Sequence, residues 1–193
     1  MFVFDRAKLF IFLALHLLLA PTVWSAELRD VTVELEDGHY FLTSESWLDA
    51  SVEEIYRVLT DYELFVQISS GYVEAHNTDA AEDGRPGFYT RMQGCVLVWC
   101  KSFERSGYLT LQPMTDIVAL VDPEVSDFDY SRESWELINE GEGTVMIYHF
   151  EMDPGFWVPP VIGPFYIKRT LVRGGEDAIM RIEALAQGRD PDD

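Results

Sequence analysis

Five polar side chains could do chemistry if the chain folds them into one enclosed space: Arg91, Arg105, Glu133, Tyr148 and His149. Strand alternation puts Arg105 in SFERSGYLTL on the face of Phe103, Gly107, Leu109 and Leu111. It puts Glu133 in SRESWELI on the face of Trp135 and Leu137. A guanidinium or carboxylate is expensive to bury there unless it is paired or looks into a wet, ligand-accessible cavity. The other arrangement is a strand end facing solvent. Tyr148, in VMIYHFEM, shares a face with Met146, Phe150 and Met152, which leaves Val145, Ile147, His149 and Glu151 opposite. Histidine can act as a base near neutral pH, yet the alternation turns His149 away from the apolar face.

The familiar signatures of hydrolases and metal sites are missing. There is no GxSxG, no HExxH and no glycine-rich phosphate loop, and His16, His39, His76 and His149 lack metal-ligand spacing. DPEVSDFDYS, Asp122 to Ser131, lacks the spacing and the glycine of a calcium loop and reads as a solvated acidic loop. Neither a metal nor a cofactor is expected. With 14 Lys and Arg against 34 Asp and Glu, the formal charge is −20. Such a surface repels phosphate backbones and anionic lipid headgroups alike, so nucleic acid is not an expected partner.

Cys95 and Cys100 in GCVLVWCK lack CxxC redox or metal spacing. On one straight strand they would stand ~16 Å apart, at ~3.3 Å per residue, far beyond the ~4.4–6.8 Å between Cα atoms that a disulfide tolerates. A bridge therefore requires the chain between Val96 and Trp99 to turn; the alternative is two unpaired thiols on one strand. An even cysteine count favours the bridge in an oxidising compartment. The N-terminus suggests such a compartment. Arg6 and Lys8 precede the apolar run LFIFLALHLLLA, Leu9 to Ala20, followed by Pro21 and small residues, which is the layout of a secretory signal peptide cleaved after Ser25. The competing reading is an uncleaved anchor. Residues 1–25 are thus expected to be a signal peptide, 26–188 one domain and 189–193 a disordered tail, with the protein exported, periplasmic or secreted.

The elements that must position the polar groups are legible in outline. VTVELEDGHYFLTSESWL reads as two strands joined at Asp37-Gly38. DASVEEIYRVLTDYELF follows as a helix capped by Asp49 or Ser51, with Val52, Ile55, Val58 and Leu59 on one face, and a short helical piece runs from Tyr62 to Ile68. From there to Asp153 the texture is β, closing on a hairpin turn at Asn139 to Gly143; the short connections require antiparallel order. Ile167, Leu171, Gly174/Gly175, Ala178, Ile182 and Leu185 then trace one stripe of a long C-terminal helix, with Arg181 and Glu183 among the charged residues largely off it. Close approach to a sheet, a kink or room for a ligand could each explain the glycine pair.

This order of elements resembles the helix-grip fold of the START / polyketide-cyclase / coenzyme Q-binding superfamily. The residues that carry the resemblance are SESWLDASVEEIYRVLTDYELF and WELINEGEGTVMIYHFEMDPGFWVPPVIGPFYIKRTL, the second being similar to exported bacterial members. The resemblance implies an α+β fold in which a curved antiparallel sheet of about six to seven strands wraps the C-terminal helix, with two short helices after the first main strand. It also implies a cavity between sheet and helix that holds an apolar molecule. On alternation its lining would be Phe88 and Met92; Phe103, Arg105 and Leu109; Trp135; and Met146, Tyr148 and Phe150. Leu171, Gly175 and Ile182 would face them from the helix. In FWVPPVIGPF, Phe156, Trp157 and Phe165 would form the cavity rim, held by three prolines, or else cap the core.

The expected function is non-catalytic binding or transport of a hydrophobic small molecule, lipid, quinone or sterol-like, by a monomer that touches a membrane transiently. One alternative is a cyclase or hydrolase acting on an aromatic or polyketide-like substrate in the same cavity. The other is an envelope protein-interaction module working through the FWVPP turn or the Val96 to Trp99 tip.

Overall fold

The computed structural model describes residues 26–96, 99–154 and 163–192. The expected signal peptide, the tip residues 97–98 and the rim candidates Phe156 and Trp157 lie outside the described residues.

The N-terminal strands β1 (Glu27–Glu36) and β2 (His39–Leu48) are joined by Asp37 and Gly38, with φ of 50° and 93°. Positive φ at both turn residues matches the turn to the right-handed twist of the strands, which is why Asp-Gly suits it. Helix α1 (Val52–Thr60) begins with a capping box. The Ser51 hydroxyl accepts the Glu54 N–H at 3.3 Å, and the Glu54 carboxylate accepts the Ser51 N–H at 2.9 Å. Its buried face is Val52, Ile55, Val58 and Leu59. A 3₁₀ turn at Tyr62–Leu64 and the single helical turn α2 (Phe65–Ile68) then carry the chain to the far side of the sheet.

Six further strands follow: β3 (Tyr72–Thr78), β4 (Gly87–Val96), β5 (Trp99–Gln112), β6 (Asp116–Val121), β7 (Tyr130–Glu140) and β8 (Gly143–Asp153). All pair antiparallel in the order β1-β2-β8-β7-β6-β5-β4-β3. The sheet thus has eight strands rather than six to seven, because both arms of the N-terminal hairpin belong to it. At β4–β5, Cys95 and Cys100 are register partners on antiparallel strands, the placement that a bridge requires.

Helix α3 (Gly163–Ala186) lies against β1, β2, α1 and α2. Its C-terminal half buries Ile179, Ile182 and Ala186 in the main apolar cluster with Leu48, Ile55, Phe65, Phe88 and Trp135. Its N-terminal half sends Ile167, Leu171 and Val172, partly buried, against a second cluster built on Val33, Tyr40, Leu42, Phe128, Phe150 and Met152. Glu183 corrects the stripe drawn from sequence, being 3% exposed. Its carboxylate accepts the Asp49 N–H at 2.7 Å and so ties the last turns of α3 to the β2–α1 corner. The result is an α+β helix-grip architecture.

Candidate functional site

Arg105 from β5, Glu133 from β7 and Tyr148 from β8 meet on the inner face of the sheet. Their strands deliver them there because inward positions on all three follow the two-residue period: Leu109 and Arg105, Trp135 and Glu133, Met146, Tyr148 and Phe150. The Arg105 Nη1 lies 3.2 Å from Glu133 Oε1, and the Tyr148 hydroxyl donates to the same oxygen at 3.2 Å. Arg105 is 1% exposed and Glu133 3%. The guanidinium also stands 5.9 Å from the centre of the Phe150 ring.

These groups occupy the seam between the two apolar clusters. Glu133 is opposite Ala119, of the main cluster, on one side and Phe150, of the second, on the other. Tyr148 packs against both. The ion pair satisfies only part of what the two residues can do. Arg105 Nε and Nη2 and Glu133 Oε2 have no partner, and neither do the buried hydroxyls of Ser46, Tyr62, Thr90 and Ser131. Buried polar atoms are normally satisfied, since stranding one costs about 1–3 kcal/mol. Three such atoms on one ion pair, with the Thr90 hydroxyl at the position opposite Arg105, are what a site built to receive polar atoms would hold.

Protonation is settled by the same burial. Burial and then the Glu133 charge hold the Tyr62 and Tyr148 phenols well above their ordinary range, and Tyr72 is raised for the same reasons, with Arg105 opposing in each case. These phenols are neutral hydrogen-bond donors rather than phenolate bases. For Arg105, burial favours the neutral form, but the Glu133 carboxylate, with Tyr72 and Tyr62 behind it, outweighs burial and keeps the cation.

Two of the five chemical candidates are elsewhere. His149 is exposed on the outer face with its Nδ1 3.1 Å from the Thr43 hydroxyl, and Arg91 is outward too, paired with Glu74 at 2.6 Å. His39 pairs outside with Glu151 at 3.2 Å, and His76 stacks on outward Tyr89, with ring centroids 4.9 Å apart. Among the described residues no group of His, Cys, Asp or Glu could hold a metal ion.

Phe88, Leu109, Trp135, Met146 and Ile182 are buried in the main cluster and Phe150 in the second, while Met92, Phe103 and Leu171 pack partly buried against the latter. Gly175 lies on the inward stripe of α3 between Leu171 and Ile182, yet a Cβ built on it would meet nothing within 4 Å. Neither Gly174 nor Gly175 is there for close approach to the sheet; both have space around them. Phe165 is 64% exposed. It borders two open depressions, of about 260 Å³ beside β1 and about 390 Å³ along the flank of α3, neither of which includes the Arg105 group. The residues that sequence reasoning missed are the inward hydroxyls. Ser46 and Ser131 fall in phase with Leu48 and Glu133, so the period that found the apolar lining, and that puts Thr90 on the face of Phe88 and Met92, could have found them.

Residues 48–174, from the end of β2 through the Arg105 group into α3, match the family described as polyketide cyclase / dehydrase and lipid transport. The chain belongs to this family. Among solved structures, a START superfamily protein from Mycobacterium smegmatis is similar over 78% of this chain and 99% of its own, with a TM-score of 0.60 and 18% identity. A STAR-related lipid transfer protein from Xanthomonas axonopodis is similar over 81% and 98%, with a TM-score of 0.57 and 13% identity. The aromatase/cyclase Zhui from Streptomyces sp. R1128 is similar over 78% and 92%, with a TM-score of 0.52 and 11% identity. No curated protein matches the sequence. At these identities the likeness is one of fold, and proteins of this fold include both a lipid transfer protein and an aromatase/cyclase.

Proposed function

We propose that the protein binds or carries a hydrophobic small molecule, lipid, quinone or sterol-like, between the sheet and α3, without transforming it. The observation that carries this is the set of unpartnered donors and acceptors at a buried seam between apolar clusters. Apolar walls supply the affinity by desolvation, and Arg105, Glu133 and Tyr148 orient whichever end of the ligand is polar. The space at Gly175, on the inward stripe of α3, supports the same reading. An exported form, released after Ser25 and bridged between Cys95 and Cys100, belongs to this proposal. Its sign is thiols that alkylate only after reduction.

The test is native mass spectrometry of protein purified without detergent, followed by organic extraction. A stoichiometric apolar molecule supports the proposal and names its class. A clean apo mass that does not change on exposure to envelope lipids sinks it.

A second reading, cyclisation of an aromatic or polyketide-like substrate, draws on the likeness to Zhui and would employ the same three polar side chains. The neutral phenols and the outward histidines leave the Glu133 carboxylate, whose Oε2 has no partner, as the base available among these three side chains, and turnover abolished in Arg105→Met with the fold intact would favour this reading.

A further inference from the structure

In a chain of charge −20, three basic residues that lie close together on α3 stand without a hydrogen bond or counter-charge among the described residues. Arg29, Arg85, Arg91, Arg105, Arg181 and Arg189 each reach a carboxylate. Arg57 donates to the Ala186 carbonyl and Arg132 to the Ser134 hydroxyl. Lys168, Arg169 and Arg173 make no hydrogen bond or ion pair among the described residues. They lie within six positions of one another on α3 and border the depressions there, which Phe165 and Val172 also line.

Two acidic residues, Glu34 of β1 and Glu176 of α3, border the same depressions, and neither comes within ion-pairing distance of the three cations. Phe165, 64% exposed, contacts Tyr166 edge-on at 5.9 Å between ring centroids. Unpaired cations beside an exposed phenyl and a phenol on one helix flank combine electrostatic attraction with apolar insertion, the two terms that seat a helix in a lipid interface.

We propose that this flank of α3 docks the protein on a membrane through anionic lipid headgroups, with Phe165 entering the interface. The remaining surface is repelled by such a membrane, so repulsion orients the molecule and leaves this flank as the approach. Screening within about 8–10 Å at physiological salt lets the local cations outweigh the distant net charge. The proposal stands whether or not the interior takes a ligand.

The test is co-sedimentation of the full chain with phosphatidylglycerol-containing vesicles and with pure phosphatidylcholine vesicles, across a salt series. Binding is expected to require the anionic lipid and to weaken with salt. Lys168→Gln should reduce apparent affinity about fivefold, the effect of one cation near an anionic surface. Lys168→Glu/Arg169→Glu/Arg173→Glu should abolish binding with the thermal midpoint unchanged. Phe165→Ser should weaken binding while preserving its salt dependence. Equal binding by the triple variant, binding to neither vesicle, or inorganic phosphate displacing the protein at millimolar concentration would each overturn the proposal. So would capture by an acidic protein that leaves vesicles unbound.

Discussion

Arg105 reaches across β6 to Glu133 through one nitrogen and one oxygen 3.2 Å apart, and the rest of both charged groups is buried without a partner. The strand between them permits this because its residue opposite Glu133 is Ala119, too small to intervene.

Removing either partner strands a buried charge. Arg105→Met is expected to lower stability by about 3–5 kcal/mol, and Arg105→Met/Glu133→Leu to recover most of that loss. The double variant should nonetheless retain less ligand after purification. Urea unfolding of the three proteins checks the first part. If the double variant were no more stable than the single one, the pair would owe its burial to something other than each other.

The phenols of Tyr62, Tyr72 and Tyr148 set an alkaline limit. Their folded pKa values are raised chiefly by burial, so the folded state holds protons that the unfolded chain releases above about pH 10. Stability from these groups is therefore fully present below pH 10 and is lost as pH rises toward the folded values. Chemical denaturation between pH 8 and about 11 should show a flat region followed by a decline. Tyr148→Phe should make the decline shallower.

Two glycines should respond in opposite ways. A Cβ at Gly107 would press on the Leu120 carbonyl and stand 2.9 Å from Val121 Cα, both backbone atoms of β6, so Gly107→Ala is expected to destabilise strongly. Gly175→Ala meets open space and should stabilise α3 by up to about 1 kcal/mol, as alanine does in a helix interior. A bulky Gly175→Phe, by contrast, should leave the fold intact and reduce ligand loading measured by native mass spectrometry.

The capping box at the head of α1 can be tested alone. Ser51→Ala removes the hydroxyl that holds the Glu54 N–H and is expected to cost about 0.5–2 kcal/mol, read as a drop in the urea midpoint with unchanged slope.

Local signals with a single physical meaning were legible in the sequence: Asp37-Gly38 at the first turn, the apolar face of α1, and the alternation that turned His149 outward. The figure of six to seven strands came with the resemblance; both arms of the N-terminal hairpin were legible as strands, and β1, an edge strand that buries only Val33 fully, brings the sheet to eight. The seam was half legible. Arg105 and Glu133 stood out because charge on an apolar face is anomalous, whereas Ser46, Thr90 and Ser131 look unremarkable wherever they fall. Their significance is a matter of missing partners, and partners come from other strands. Glu183 escaped for a similar reason, since its counterpart is a backbone N–H, at Asp49, invisible to any pattern of side chains.

The strand order also dictates a schedule for folding. β2 pairs with β8, and contacts such as His39 to Glu151 join positions 112 residues apart. The N-terminal hairpin leaves the ribosome long before its neighbour exists, and the α3 face that covers it is made later still. Non-local pairing of this kind is slow to form. The sheet can close only once the chain through Asp153 has been made, so its N-terminal hairpin waits through the whole of that synthesis with one edge unpaired.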